Sequence, residues 1–347
     1  MDARRGWVSA LVASWQRQPP DALARTLQPL SWLYRALAAA HRALYRGGLR
    51  TSERAPRPLI VVGNLVAGGA GKTPTVLALI ALLRRQGYTP GVVSRGYGRA
   101  DRATRIVDAS SEVEQVGDEP LLVHLRARVP VAVAMRRIDA ARALCQQHPG
   151  IDVLVADDGL QHLALARNAQ LIVFDERGAG NGLLLPAGPL REPLPRTVPE
   201  RTLVLYNAPH PSTALPGFVV QRSLGGVVPL SRWWAGQQGE PQGWQALRGR
   251  RLVACAGTAV PQRFFAMLQA QGLTFDALAL PDHARYDKLP WPAEATDVVL
   301  TEKDAVKIRP ERVGSTRVWV APLDFGLDNA VGHALRQWLP PPANHDA

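Results

Sequence analysis

From residue 57 onward the chain alternates between short apolar runs and stretches with apolar residues at helical spacing. The runs at 59–62, 90–94, 129–134, 153–156 and 171–174 read as buried strands, and 75–86, 119–128 and 138–147 read as helices. Further strands are expected at 203–206 and 218–222. After a stretch at 231–250 that breaks the pattern, strands recur at 252–256, 275–280, 298–300 and 318–321, with helices at 261–271 and 327–339. Strands alternating with helices predict an α/β fold with a parallel sheet covered on both faces, and a boundary near 225–230 predicts a second, smaller α/β domain. In such sheets ligands collect at the carboxyl ends of the strands.

The first 50 residues differ. No acidic residue occurs from Ala22 to Ser52, while Arg25, Arg35, Arg42, Arg46 and Arg50 do. Leu30, Leu33, Tyr34, Leu37, His41, Leu44 and Tyr45 repeat at helical spacing, with Pro29 expected near the helix start and Gly47-Gly48 at its end. A basic amphipathic helix with Trp32 and Tyr34 suits a membrane interface. A surface helix docked on the protein's own core is the competing reading, and the lack of acidic residues favours the membrane. The division expected is therefore 1–55 as a membrane-associating segment, 56–228 as a core, and 229–347 as a second α/β domain.

With 347 residues and two well-separated cysteines, Cys145 and Cys255, the chain has room for buried cores and carries no disulfide framework. The net charge of +12 favours anionic partners. No apolar run approaches the ~20 residues of a spanning helix, and no signal-peptide core precedes the folded part, so a cytoplasmic-side location is expected. No nucleic-acid module or basic–aromatic stripe supports nucleic acid as the anionic partner.

The stretch after the first strand carries the chemistry. Ala67-Gly68-Gly69-Ala70-Gly71-Lys72-Thr73 joins a strand to a helix, the layout of a phosphate-binding loop. Lys72 would reach the outer phosphates and Thr73 would ligate magnesium. The general pattern wants a glycine at position 66, where this chain has Val66. Only four lysines stand against 37 arginines, and one of the four occupies the motif position. A strand ends in Asp157-Asp158-Gly159, where a magnesium-holding carboxylate belongs, with Gln161 and His162 close behind. Turn chemistry is the other reading of Asp-Gly. Asp118 suits either a general base or a helix N-cap. Arg95 and Arg99, or Arg136 and Arg137, follow strand ends and match phosphate geometry. Glu192 suits either the metal or an ion pair with Arg191. His283, beside Asp282 at another strand end, suits a phosphate ligand or an assistant to Asp118.

Taken together, Val62-Gly63-Asn64-Leu65, the 68–74 loop, Ser94-Arg95-Gly96-Tyr97-Gly98, Gly117-Asp118-Glu119-Pro120, Asp157 to His162, Leu185 to Pro193, Pro281-Asp282-His283 and Thr301-Glu302-Lys303-Asp304 resemble the tetraacyldisaccharide 4'-kinases, the lipid A 4'-kinases of Gram-negative bacteria. The resemblance runs over about 22–340. It implies transfer of the ATP γ-phosphate, with Mg²⁺, to the 4'-hydroxyl of a tetraacylated glucosamine disaccharide 1-phosphate. It also implies a monotopic protein on the cytoplasmic face of the inner membrane, with an anionic acylated disaccharide as partner. By the same resemblance Asp118 is the base and His283 its helper. Residues 67–73, Arg95 and Arg137 then face the nucleotide, and Thr73, Asp157, Asp158, Gln161 and Glu192 lie near the metal. A switch or maturation NTPase using the same loop without a lipid acceptor is the alternative.

Overall fold

The computed structural model describes residues 2–282 and 284–343. Two helices, α1 (Asp2–Trp15) and α2 (Ala22–Arg46), precede the first strand, β1 (Leu59–Gly63). Then follow α3 (Lys72–Arg85), β2 (Pro90–Ser94), β3 (Arg105–Val107), α4 (Val113–Val116), α5 (Asp118–Ala127) and β4 (Val131–Val133). The first sheet is completed through α6 (Arg137–Gln147), β5 (Val153–Asp157), β6 (Ala169–Asp175), β7 (Thr202–Asn207) and β8 (Phe218–Val219). Its eight strands run in the order β3-β4-β2-β5-β1-β6-β7-β8. All pairs are parallel except β3–β4. Every residue of β1, β2, β5 and β7 is buried, as strands covered on both faces require.

The second half contains β9 (Gln221–Leu224), β10 (Val228–Pro229), α7 (Leu230–Trp234), α8 (Gly243–Leu247), β11 (Leu252–Ala256), α9 (Pro261–Ala270) and β12 (Phe275–Ala279). It ends with β13 (Asp297–Thr301), α10 (Glu302–Ala305), β14 (Arg317–Ala321), β15 (Leu323–Gly326) and α11 (Asn329–Arg336). Five of these strands form a second sheet, β10-β14-β13-β11-β12, parallel except at β10. The stretch 231–250, which shows no pattern in the sequence, forms α7 and α8 and buries Trp233 and Trp244.

The two sheets share apolar packing. One continuous cluster joins Val76, Leu79 and Leu83 of α3 with Val298, Leu300 and Val320 of the second sheet. The chain also returns near its end: β15 pairs antiparallel with β9, and α11 packs on α3. The expected single run at 218–222 is split into β8 and β9, each belonging to a different sheet. Pro29 lies inside α2 rather than at its start, because Asp21 caps the helix by accepting the Ala24 N–H at 2.9 Å. Among the described residues, no helix is long and apolar enough to cross a membrane.

Candidate active site

Strand β1 delivers the chain to a loop that winds into the head of α3. Gly71 caps this helix at φ +87°, and a Cβ there would run into the Asn207 amide and sit 3.2 Å from the Phe325 ring. The helix begins at Lys72, so Lys72 and Thr73 occupy its first turn, where backbone N–H groups lack intrahelical partners. Side chains brace the loop from beneath. Asn64 donates to the Gly68 carbonyl at 3.0 Å, Arg177 to that of Gly69 at 2.7 Å, and Asn207 to that of Ala70 at 3.2 Å. Lys72 Nζ donates to Asn64 Oδ1 at 3.4 Å. The Ala67 N–H does not face the loop's interior: it donates to the Pro189 carbonyl at 2.7 Å. Val66, buried, bridges to Leu190 in the same contact, so the missing glycine is a packed valine that ties the loop to the 184–191 segment.

Strand β5 sets Asp157 beside Val62 of β1, at the edge where the loop begins. Asp158 follows at φ +48°, a left-handed turn that Asp tolerates better than most residues. The two carboxylates diverge. Asp157 is buried, and its Oδ1 has no hydrogen-bond partner. Burial, followed by the negative charge of Glu119, pushes its carboxyl up to about 7. Asp158 Oδ1 instead lies 3.7 Å from Lys72 Nζ and 3.4 Å from Arg191 Nη1. Gln161 donates to Glu192 Oε1 at 2.9 Å, and Glu192 Oε2 lies 3.7 Å from Arg42 of α2. Among the described residues no group of three or more His, Cys, Asp and Glu stands at metal-holding separation. An unpartnered buried Asp157 oxygen at the edge where the phosphate loop begins fits a single hard cation that takes the rest of its shell from phosphate and water.

The arginines sort themselves by burial. Arg137 is buried at the head of α6 and donates to the carbonyls of Asp157 at 3.0 Å and Asp158 at 2.7 Å, stapling the carboxylate turn. Arg136 is exposed and pairs with Glu53. Arg95 is exposed at the end of β2, close enough for its charge to act on Arg137 and His162. Burial, then Arg137, pushes His162 down to about 4.

Asp118 is the first residue of α5, and Gly117 is the cap, so the N-cap reading misplaces it by one residue. Gly117 adopts φ +91°, and a Cβ there would lie 3.2 Å from Gly96 Cα, which presses the loop after β2 onto the head of α5. Asp118 is buried, and its Oδ1 accepts the Glu119 N–H at 3.0 Å. Helices α3 and α5 pack side by side, and their heads meet where Lys72, Thr73 and Glu119 line a common space. A cavity of about 230 Å³ opens there, between Lys72, Thr73, Glu119 and Asn207 on one wall and Thr258, Phe264 and Lys303 on the other. Lys303 donates to Asp282 at 2.6 Å. Burial alone would lower the Lys303 pKa, but the charges of Asp282, Glu119 and Asp118 raise it. His283 lies outside the described residues.

Several residues in this cleft escape a sequence reading. Asn64 and Asn207 directly end or follow strands, the same positional signal that singles out Asp157, yet a lone Asn gives no chemical cue. Glu119 and Lys303 sit beside residues with stronger motif character.

Helix α2 is two-faced. Ser31 donates to the Leu184 carbonyl at 2.8 Å and accepts the Ala187 N–H at 3.0 Å, and Tyr34 donates to the Arg191 carbonyl at 2.8 Å. Trp15 of α1 donates to the Pro186 carbonyl at 2.9 Å. The opposite side leaves Leu30, Trp32, Leu33 and Leu37 exposed, together with Trp7 and Val8 of α1. Docking onto the protein and an unpartnered apolar face therefore coexist.

The family Tetraacyldisaccharide-1-P 4'-kinase matches residues 23–340. The chain is 53% identical over 337 residues to a tetraacyldisaccharide 4'-kinase of Methylibium petroleiphilum, covering 95% of this chain and 93% of that protein. It is 51% identical over 342 residues to one of Leptothrix cholodnii, covering 96% and 98%. Its fold matches the crystal structure of the "apo" form of LpxK from Aquifex aeolicus in complex with ATP, with a TM-score of 0.75 and 25% identity over 92% of this chain and 100% of that one. With the phosphate loop, the carboxylate turn and the head of α5 at one edge of the sheet, the chain belongs to the tetraacyldisaccharide 4'-kinase family.

Proposed function

We propose that the edge shared by the heads of α3 and α5 is where this kinase transfers the γ-phosphate of ATP to the 4'-hydroxyl of tetraacyldisaccharide 1-phosphate. The observation that carries this is the cavity lined by Lys72 and Thr73 at the head of α3 and by Glu119, the residue next to Asp118, at the head of α5. Phosphoryl transfer asks for positioning and charge neutralisation more than covalent chemistry. Lys72 and the first-turn N–H groups of α3 hold the ATP phosphates, with Gly68, Gly69 and Ala70 allowing close approach. Asp118 accepts the proton of the attacking hydroxyl, and His283 assists it. Arg95 meets the phosphates from the end of β2, while Arg137 acts by fixing the carboxylate turn. Thr73 and Asp157 hold Mg²⁺, with Asp158, Gln161 and Glu192 around them. When bound, the cation neutralises charge on the phosphate oxygens.

Residues 56–228 form the phosphate-binding unit and 229–347 the unit that closes over it. Residues 1–55 lay their apolar face in the inner-membrane interface, on the cytoplasmic side, where an acylated anionic disaccharide is found. The exposed Trp7, Trp32, Leu33 and Leu37 and the acid-free basic sequence support this. A switch NTPase would need no such face, and family membership does not favour it.

The test uses γ-labelled ATP and the tetraacyldisaccharide 1-phosphate. Label moves into the organic phase with the wild type, and Lys72→Ala reduces transfer by roughly 10²–10³-fold, the effect of losing one preorganised charge partner. Undiminished transfer by Lys72→Ala would overturn the assignment of the loop.

A further inference from the structure

Lys307 is one of the four lysines in this arginine-rich chain. It lies two residues beyond α10, in the segment of the five-stranded sheet, and its side chain is only 8% exposed. Its ammonium is buried and has no hydrogen-bond partner among the described residues. An ammonium taken out of water is tolerated only where nearby negative charge offsets its lost hydration. Two carboxylates do so here: Asp304 Oδ1 at 3.8 Å and Asp118 Oδ2 at 4.0 Å.

The two carboxylates are not equivalent. Asp304 is fully buried and bolted to its own segment, its Oδ2 accepting the Gly257 N–H at 2.8 Å and the Thr301 hydroxyl at 2.7 Å. Its Oδ1 makes no hydrogen bond. Asp304 is thus a fixed anchor that holds Lys307 in place by charge. Asp118 sits across the divide, on α5 of the other sheet, with Oδ1 engaged by the Glu119 N–H. Lys307 also lies 5.7 Å above the Tyr286 ring, which adds a second attraction for the cation. At 4.0 Å the ammonium attracts Asp118 Oδ2 without forming a hydrogen bond to it. Attraction at that distance draws the Asp118 carboxylate toward the five-stranded sheet.

We propose that Lys307 is a positioning residue for phosphoryl transfer: a charge presented from the five-stranded sheet holds the Asp118 carboxylate in its working orientation, so the base is complete only with the two sheets together. The inference rests on the reading of Asp118 as the base.

The experiment measures kcat and KM on ATP and tetraacyldisaccharide 1-phosphate for Lys307→Met, Lys307→Gln and Lys307→Arg. Each is made in the wild-type and the Asp118→Asn background. The neutral variants are expected to lower kcat about tenfold or more, a fraction of what general-base catalysis contributes, with KM for ATP unchanged. Lys307→Arg restores part of the loss, and in the Asp118→Asn background Lys307→Met costs nothing further. Wild-type kcat in a neutral variant that folds would overturn the proposal, as would an equal fractional loss in both backgrounds. Asp118→Asn alone turning over at the wild-type rate would instead remove the base assignment, before any Lys307 variant is considered.

Discussion

At the carboxyl edge of the eight-stranded sheet, Asp157 and Lys72 are left under-bonded, whereas at the same edge of the five-stranded sheet Thr301 and one oxygen of Asp304 are firmly bonded. Asp157 ends β5 with a buried oxygen that has no partner, and Lys72 reaches its nearest acceptors only at 3.4 and 3.7 Å. Thr301 and Asp304, at the end of β13, instead close a tight set of bonds with Gly257 at 2.7–2.8 Å. Two sheets of similar construction have been put to different uses. Under the proposed function, the first keeps that polar capacity for a ligand that brings its own charge. The second spends its polar groups on rigidity and supplies fixed points, such as Lys303 and Lys307, against which the first is set.

The largest effect that would sharpen this contrast is chemical. Asp118→Asn should lower kcat by roughly 10²–10⁴-fold, while ATP affinity measured calorimetrically stays close to wild type. Parallel loss of both would mean that the residue holds the fold rather than moves a proton. Next comes stability. Arg126 of α5 lies 3.0 Å from the buried Glu302 of α10 and also pairs with Asp324. Arg126→Met leaves Glu302 buried without its cation, and urea unfolding should show a loss of about 3 kcal/mol. Asp157→Asn, measured with EDTA present, should leave stability unchanged or raised, because Oδ1 of the buried carboxylate it replaces has no hydrogen-bond partner. A loss as large as that of Arg126→Met would erase the distinction between reserve and bonded groups.

A smaller effect depends on pH. Burial works to raise the Asp297 pKa, but hydrogen bonds from Arg317 and Trp319 and the charges of Arg317 and Arg250 outweigh it and hold the carboxyl below its ordinary value. A carboxyl depressed on folding stabilises the folded state above its unfolded pKa, and that contribution fades as pH falls through the folded value. Asp297→Asn should therefore cost about 1–3 kcal/mol at neutral pH, and the difference from wild type should shrink below pH ~4. The smallest expected change in stability belongs to Trp32→Ser with Leu33→Ser on the exposed face of α2. Unfolding should shift by no more than ~0.5 kcal/mol, yet sedimentation with anionic vesicles should drop markedly. Unchanged sedimentation would leave that face without the proposed role.

Regular alternation made the parallel strands readable, because a strand buried on both faces is mostly apolar, as β1 is and as β5 is up to Asp157. The candidate site was legible where residue type and strand end coincide, as at Lys72 and Asp157. What stayed hidden depends on pairing over long distances. β15 has no apolar run of its own and exists because Leu323–Gly326 finds β9 about a hundred residues earlier. Pro29 reads locally as a helix start, yet Asp21, eight residues before it, caps α2. Arg137 and Arg136 are indistinguishable neighbours in the sequence, and only the turn at Asp157-Asp158 gives one of them a buried task. Lys307 looks like a surface lysine until the second sheet brings it against Asp118.

The clamp between α2 and the 184–192 segment has a geometric consequence. Ser31 and Tyr34 hold that segment from one side of the helix, while Trp32 and Leu33 point to the other. A helix with its side chains is only about 10–12 Å across. With the exposed face seated at a bilayer surface as proposed, the Arg191–Asp158 edge stands at a fixed height of roughly one helix diameter above it. The helix then acts as a spacer, and a sugar hydroxyl at the head of an acylated disaccharide is phosphorylated at that height, with its chains still in the lipid.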